Sequence, residues 1–316
     1  MRIRNIFISI IMLGLAGYGG VKGYMYFSAK SKIDKILSFA VMLGAEPSYD
    51  RVATSVFGPV GIQGLKLRFP QIGEEITFGE VTLQKFEYQD NMLPTKMRFT
   101  VSDMRFNLDV LERLEKYNLA QAKKQNVRIQ TVKEEMPEFL VRLGYVGVYL
   151  RAHDWRRLGY HNMVMDWDID MQLRPALQEA TMILSQRVEN LGSMNLYMDM
   201  SDIGPSSQPS ILGVKFKEIR IDYKDDSYID RIIKSYADDN SKDLETYRKE
   251  FLTALDLDIT SKEIKLSPES IINLKTFLSK PDKLKISMHP YQPVAAGSIN
   301  HYKPGDVPLL LNLKFD

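Results

Sequence analysis

Alternation between apolar and polar residues is the sequence feature that most constrains the fold of this chain. It runs from Met163 to Leu173 and returns between Met194 and Ser201. Because successive side chains of a β-strand point to opposite faces, each stretch predicts a strand with one apolar and one polar face. Such strands are typical of an antiparallel sheet that is packed on one side and solvated on the other.

Shorter alternating stretches predict more strands around these two. The apolar phase slips near Gly79–Glu80 and again after Val101, and a slip of this kind indicates a β-bulge. Two short strands, Leu284–Met288 and Leu309–Phe315, are predicted to end the chain. The other predicted strands lie at residues 51–57, 62–69, 76–83, 97–108 and 145–150.

Helical spacing of apolar residues separates some of these strands. It predicts helices near residues 108–122, 136–143, 229–237 and 244–255. A further helix is predicted to begin at Ser267-Pro268-Glu269, where a capping hydroxyl precedes proline and an acid in the first turn, and to stop at Lys280-Pro281. The predicted fold class is therefore α+β, with antiparallel β-meanders covered by helices. Strands followed by helices occur twice, which suggests two related halves, 47–144 and 145–316.

A long apolar run opens the chain, and Lys22 is the only charge between Arg4 and Lys30. A membrane-spanning helix needs roughly 20 mostly apolar residues, so residues 1–28 are predicted to be an uncleaved signal-anchor. A cleaved secretory signal is the alternative, although the apolar character continues past a plausible cleavage point. A lipoprotein signal is excluded because Tyr18 stands where the lipidated cysteine would be. The residues assigned to the anchor are Ile6, Phe7, Ile10, Leu13, Leu15, Tyr18, Tyr24, Tyr26 and Phe27.

The charges beside this run do not fix its orientation. Arg2 and Arg4 precede it, but Lys30, Lys32 and Lys35 follow it, which blunts the positive-inside rule. A short head before a long polar body favours translocation of the body. We therefore predict a single-pass protein of the bacterial inner membrane, with an exit helix and linker at residues 29–46 and a periplasmic domain at residues 47–316.

Composition excludes several classes of function. The 316 residues include no cysteine, which rules out disulfides, thiolate metal sites and cysteine nucleophiles. The formal net charge is only +2 with interleaved signs, which argues against a nucleic-acid partner. The 16 methionines are best explained as adaptable filler of the core. No motif of a catalytic or cofactor site is present, so neither catalytic residues nor a cofactor are predicted.

Three acidic residues on one strand, Asp166, Asp168 and Asp170, form the strongest candidate for a metal site. Their spacing of two places all three carboxylates on one face, where oxygen ligands could hold Ca²⁺ or Mg²⁺. A solvated strand face explains the same pattern and is the preferred interpretation. The histidines His153 and His161 flank a predicted turn at Trp155-Arg156-Arg157 and lack a third ligand.

The segment Pro290–Pro308 is rich in proline and glycine and has no strand or helix pattern of its own. Loops of this length inside a compact domain are often functional, so it could carry a binding edge. Its reactive or recognisable side chains are Tyr291, His301, Tyr302, Lys303 and Asp306. A surface crossover connection is the alternative interpretation.

Several stretches together suggest a type of protein. They are the basic head, the lysine-rich exit helix, the glycine-containing segment 56–67 and the stretch 222–231. The chain resembles inner-membrane-anchored periplasmic proteins of Gram-negative bacteria and is loosely similar to the AsmA and YdgA-like groups, which are β-rich. The resemblance implies a β-rich periplasmic domain and supplies no catalytic residue. The chain is much shorter than the long AsmA-type bridges, so membrane-to-membrane lipid transfer is not implied.

Three functions follow as hypotheses. The first is a non-enzymatic, membrane-tethered envelope protein that binds a lipid or a protein partner, with the lipid on the dry face of the sheet. The second is a scaffold or assembly factor that contacts other envelope proteins through Pro290–Pro308 or an exposed sheet edge. The third is a metal-dependent enzyme that uses Asp166, Asp168 and Asp170.

Overall fold

The computed structural model describes residues 44–54, 59–88, 94–124, 152–203 and 213–316, together with residues 30, 33, 34, 37, 38, 40 and 41. Twelve strands of this part of the chain join into one antiparallel sheet, which confirms the α+β class. The strands are β1 (Glu46–Ser48), β2 (Arg51–Thr54), β3 (Val60–Phe69), β4 (Glu74–Tyr88), β5 (Pro94–Asn107), β6 (Asn162–Arg174), β7 (Glu179–Val188), β8 (Gly192–Ser201), β9 (Lys215–Asp225), β10 (Lys283–Met288), β11 (Val294–Ala295) and β12 (Leu313–Phe315).

Helices interrupt the run of strands at three places. They are α1 (Leu108–Lys124), α2 (Ala152–Arg157), α3 (Tyr228–Asp239), α4 (Leu244–Ser261), α5 (Pro268–Ser279) and α6 (Val307–Leu310). Short 3-10 turns occupy Pro175–Leu177, Ala296–His301 and Pro304–Asp306. The predicted start of α5 is confirmed, because the Ser267 side chain accepts a hydrogen bond from the Ser270 amide and Pro268 opens the helix.

The sheet is a meander in the order β1-β3-β4-β5-β6-β7-β8-β9-β10-β12. At one end β1 and β2 pair with opposite halves of β3, and toward the other end β10 and β11 pair with opposite halves of β9. Strands β5 and β6 are paired along their length, so the sheet is continuous across the boundary at residues 144 and 145. The two proposed halves therefore share one sheet.

A row of backbone irregularities crosses strands β3, β4 and β5 at the same level. It passes through Gly64 (φ +64°), Gly79 and Asp103 (φ +54°), and Asp50 fills the space where a Gly64 side chain would lie. In each strand the apolar residues on either side of this row are three positions apart instead of the usual two. These interruptions are aligned from strand to strand. Ile62, Val81 and Val101 are paired on one side of the row, and Leu65, Phe78 and Met104 are paired on the other. The irregularities are matched between β3, β4 and β5, so at the level of this row the register shifts only between β5 and β6.

This row corrects one prediction. The bulge predicted at Gly79–Glu80 is wrong, because the pairing of β4 with both neighbours continues through these residues. The register between β4 and β5 shifts instead between Leu83 and Lys85 and again between Glu87 and Tyr88. The slip predicted after Val101 is confirmed by the shift between Val101 and Met104.

The main hydrophobic core lies between one face of the sheet and helices α3, α4 and α5. Phe251 on α4 and Ile233 on α3 are fully buried there, against Met163 and Met165 of β6 and Leu284 of β10. These helices show the predicted spacing of buried residues. A second, smaller cluster places Ile33 and Leu37, both helical, against Ile62 and Leu65 of β3.

Other differences from the sequence-based expectations are local. The strand predicted at Leu309–Phe315 is wrong in its first half, where Leu309 and Leu310 belong to α6, because Asn312 takes a left-handed conformation (φ +47°) that separates helix from strand. The turn predicted around Trp155 is a helix, α2. Strand β7, which the sequence analysis does not identify, lies between β6 and β8.

The predicted anchor, including Ile6, Phe7, Ile10, Leu13, Leu15, Tyr18, Tyr24, Tyr26 and Phe27, lies outside the described residues, as do the helix at 136–143 and the strand at 145–150. Among the helices that the structure describes, none combines the length and apolar character needed to cross a membrane.

Candidate functional site

The two faces of the sheet differ sharply in chemistry, and the three acidic residues of β6 lie on the polar face. They alternate with Trp167 and Ile169, which point to the opposite side. Neighbours on the polar face include Arg187, Asn195 and Arg220, according to the pairing of β6 through β9.

Two of these carboxylates interact with groups of the neighbouring strand β5. Asp168 forms a bidentate ion pair with Arg98 of β5, at 2.8 and 3.2 Å. Asp166 accepts a hydrogen bond of 2.8 Å from the backbone amide of Asp103, at the bulge in β5. Asp170 helps Asp168 to raise the pKa of Arg98. Within the described part of the chain, no three His, Asp or Glu side chains are placed to hold a metal ion.

The opposite face carries rows of apolar side chains that run across the strands. Residues paired in register point to the same side, so each row is continuous from strand to strand. One row crosses β5 to β10 and consists of Met97, Met171, Met182, Met198, Ile219 and Met288. The row beside it consists of Phe99, Ile169, Leu184, Leu196, Ile221 and Ile286. We call the surface made by these rows the methionine face.

The methionine row lies outside the main core, whereas Ile286 of the row beside it packs against that core. All six side chains of the methionine row are partly exposed. None of them belongs to the two hydrophobic clusters that the described residues form, whereas Met163, Met165 and Leu284, farther along the same strands, are buried beneath the helices. The helices thus cover one end of the apolar side of the sheet, and the methionine row lies toward the other end.

A pocket of about 910 Å³ opens where the methionine face ends, and we call it the C-terminal pocket. Pockets of this size are typical of small-molecule sites. Val294 of β11 lines it and is paired with Phe216 of β9, which in turn is paired with Met200 of β8. The other lining residues are Lys215, Lys265, Tyr291, Gln292, Pro293, Ala295, Ser298, Tyr302, Asp306, Leu309 and Leu310.

Most of the pocket wall comes from the segment Pro290–Pro308, which the sequence analysis treats as structureless. That expectation is wrong, because the segment contains β11, two 3-10 turns and the start of α6. Of its five recognisable side chains, the structure brings Tyr291, Tyr302 and Asp306 to the pocket.

The wall is fixed to the turn between α4 and α5 at one tight contact. Gly305 is buried, and a Cβ atom there would lie 2.5 Å from the carbonyl oxygens of both Lys262 and Glu263. The Lys265 amide donates a hydrogen bond of 2.9 Å to the Gly305 carbonyl. Only glycine allows the two backbones to approach this closely.

Ion pairs set the electrostatics of the pocket. The Lys265 ammonium lies 2.5 Å from Asp306, and this pair raises the pKa of Lys265 and lowers the pKa of Asp306. Lys215 lies 2.7 Å from Asp202. Both lysine side chains are about half exposed, at 54% and 43%. The two cations of the lining are therefore each paired with a carboxylate, Lys265 with Asp306 of the lining and Lys215 with Asp202 beside it.

A buried acid elsewhere has a structural role. Asp225, only 8% exposed, accepts hydrogen bonds from the Tyr223 hydroxyl at 2.7 Å and from the Ile229 amide at 3.2 Å. It thereby caps the first turn of α3. Burial raises the pKa of Asp225, and the two hydrogen bonds partly oppose that rise.

Sequence reasoning missed Lys215, Lys265 and Val294 as pocket residues. Lys215 and Lys265 are far apart in sequence from the Pro290–Pro308 segment, so only the tertiary fold joins them. The one available signal was the unusual length of the segment itself, which marked it as a candidate binding edge.

Comparison with known protein families matches the C-terminal part of the chain. Residues 176–316 match a family model described as "Uncharacterized protein", and this span includes β7 to β12 and the C-terminal pocket. No curated protein and no solved structure matches the chain. The resemblance to the AsmA and YdgA-like groups stays a prediction.

Proposed function

We propose that this chain is a non-enzymatic binding protein, tethered to the bacterial inner membrane, whose methionine face holds the acyl chain of a lipid. The observation that carries the proposal is the continuous row from Met97 to Met288, which lies outside the helical core. Met side chains are flexible and polarisable, and they suit a ligand that has no fixed shape.

The dimensions of the methionine face support a long apolar ligand. Six strands spaced about 4.8 Å apart give a row roughly 24 Å long. The row from Met97 to Met288 contains no charged side chain, because the charged residues next to its members in these strands point to the other face. A lipid tail would bury this surface and gain roughly 25 cal/mol for each Å² of apolar area removed from water.

The tether is the second part of the proposal. The apolar run from Ile6 to Phe27 supports a single span, and residues 47–316 would then lie in the periplasm. A phosphatase reporter fused after Asp316 tests this topology. Activity of the periplasm-dependent reporter is expected, and activity of a cytoplasm-dependent reporter alone would contradict the orientation.

Native mass spectrometry tests lipid binding. Full-length protein is extracted gently, and we expect a population whose mass is raised by one lipid. Replacing Met182 and Met198 together with glutamine should lower the lipid-bound fraction at least about tenfold, because two apolar contacts are lost.

A matched control lies one residue away on the same strand. Ile183 is 47% exposed and points to the polar face, so Ile183→Gln should leave the lipid-bound fraction unchanged. Thermal melts establish that each variant is folded. Wild-type protein that emerges free of lipid after gentle extraction would refute the proposal, and the methionine face would then be ordinary packing surface.

A further inference from the structure

We propose that the C-terminal pocket binds the phosphate of a phospholipid head group through Lys215 and Lys265. The inference rests on the proposed function, because it assigns the head of the lipid whose tail lies on the methionine face. It narrows the ligand from lipids in general to those that carry a phosphate.

Position supports this assignment. Val294 lines the pocket and points to the same side of the sheet as Phe216 and Met200, so its apolar wall is the continuation of the methionine face. Lys215, which precedes Phe216 on β9, alternates to the opposite side. The pocket thus lies at the end of the sheet, where an apolar surface meets a charged one. An amphipathic molecule likewise joins an apolar part to a charged or polar part.

Two half-exposed lysine ammonium groups supply hydrogen-bond donors for the phosphate. Each of them already faces a carboxylate, Asp202 beside Lys215 and Asp306 beside Lys265, so a phosphodiester would share these donors with the two acids. Apolar and aromatic side chains make up much of the rest of the lining, among them Tyr291, which is 89% exposed. Tyrosine and lysine are residues that commonly meet a lipid at its polar boundary.

The existing ion pairs do not block a phosphate. Lys215–Asp202 and Lys265–Asp306 are partly exposed pairs, and pairs of this kind contribute little to stability. Lysine also carries three donors on a flexible stem, so its ammonium can contact a phosphate oxygen with or without leaving the carboxylate. Asp306 and the phosphate would then compete for Lys265.

The test uses delipidated full-length protein and three probes. They are a phospholipid, the diacylglycerol with the same acyl chains, and inorganic phosphate. We expect the phospholipid to bind about threefold to tenfold more tightly than the diacylglycerol, as partly exposed charged hydrogen bonds would give. Inorganic phosphate alone should bind far more weakly.

Substitutions in the C-terminal pocket distinguish recognition of the phosphate from a purely structural role of its ion pairs. Replacing Lys215 and Lys265 together with glutamine should abolish the preference for phospholipid, whereas Lys234→Gln, an exposed lysine on α3, should leave it unchanged. Asp306→Asn breaks the same ion pair as Lys265→Gln, yet it should strengthen phospholipid binding because it frees Lys265. If both changes at the Lys265–Asp306 pair weakened binding equally, the pair would only be holding the pocket wall, and the inference would be wrong.

The outcomes also separate this inference from the proposed function. Equal binding of phospholipid and diacylglycerol would overturn the phosphate assignment and leave lipid binding intact. Failure of both lipids to bind would overturn the proposed function itself. Tight binding of inorganic phosphate without either lipid would assign the pocket to a free anion and refute the phospholipid.

Discussion

Adding one methyl group at Gly305 should loosen the wall of the C-terminal pocket. In Gly305→Ala the new Cβ would lie 2.5 Å from the carbonyl oxygens of Lys262 and Glu263. A comfortable carbon–oxygen contact is about 3.3 Å or more, so the two backbones must separate by roughly 0.8 Å. Both obstacles are backbone atoms, and neither can move away as a flexible side chain would.

The expected cost has two parts. Forcing extra volume into a packed site typically costs about 1–3 kcal/mol. The same movement stretches the hydrogen bond from the Lys265 amide to the Gly305 carbonyl, which contributes about 0.5–1.5 kcal/mol. We therefore expect Gly305→Ala to lower the free energy of unfolding by about 1.5–4.5 kcal/mol.

Urea denaturation of the full-length protein measures this change, and hydrogen exchange reports whether the Lys265 amide loses protection. Gly213 provides the matched control, because a Cβ there would meet no atom of the described residues within 4 Å. Gly213→Ala should change stability by less than about 0.5 kcal/mol. If Gly305→Ala behaved like this control and Lys265 stayed protected, the tight contact would not exist in solution and the reasoning would be refuted.

Two further changes test the core and the cap of α3. Burial raises the pKa of Asp225, so the native protein holds this proton more tightly than the unfolded chain, and stability falls as pH rises through the folded pKa. Asp225→Asn should keep both hydrogen bonds and raise the melting temperature at neutral pH. This gain in melting temperature should disappear below about pH 4. An unchanged or lower melting temperature at neutral pH would contradict the prediction. Phe251→Ala, at a fully buried site, should lower the free energy of unfolding measured in urea by about 3–5 kcal/mol. Leu257→Ala on the same helix is the control, because Leu257 is 60% exposed and its loss should lower this free energy far less. Equal decreases for the two variants would argue against the described core.

The elements with the strongest periodicity were predictable from the sequence. The alternation at residues 163–173 gave β6, and the spacing of Ile229, Ile232 and Ile233 gave the buried face of α3. Capping chemistry fixed the start of α5 because a hydroxyl, a proline and an acid act within one turn. These predictions succeeded because each depends on contacts between residues that are close in the chain.

The errors arose where distant strands decide local geometry. The phase slip at Gly79–Glu80 looks like a bulge in β4 alone, but it is one step of a row shared with Gly64 and Asp103, so the register is kept. Asn312 is a different case, because its own left-handed backbone ends α6 within a stretch whose apolar pattern resembles a strand.

The candidate site shows the same division. The sequence by itself determined that the sheet has one apolar and one polar face, because side-chain direction alternates along every strand. It could not determine which apolar residues lie under helices and which form the methionine face, since that depends on where α3, α4 and α5 pack. Nor could it join Lys215 and Lys265 to the Pro290–Pro308 segment. Strand pairing and the close approach at Gly305 decided that, and both are contacts between residues far apart in the chain.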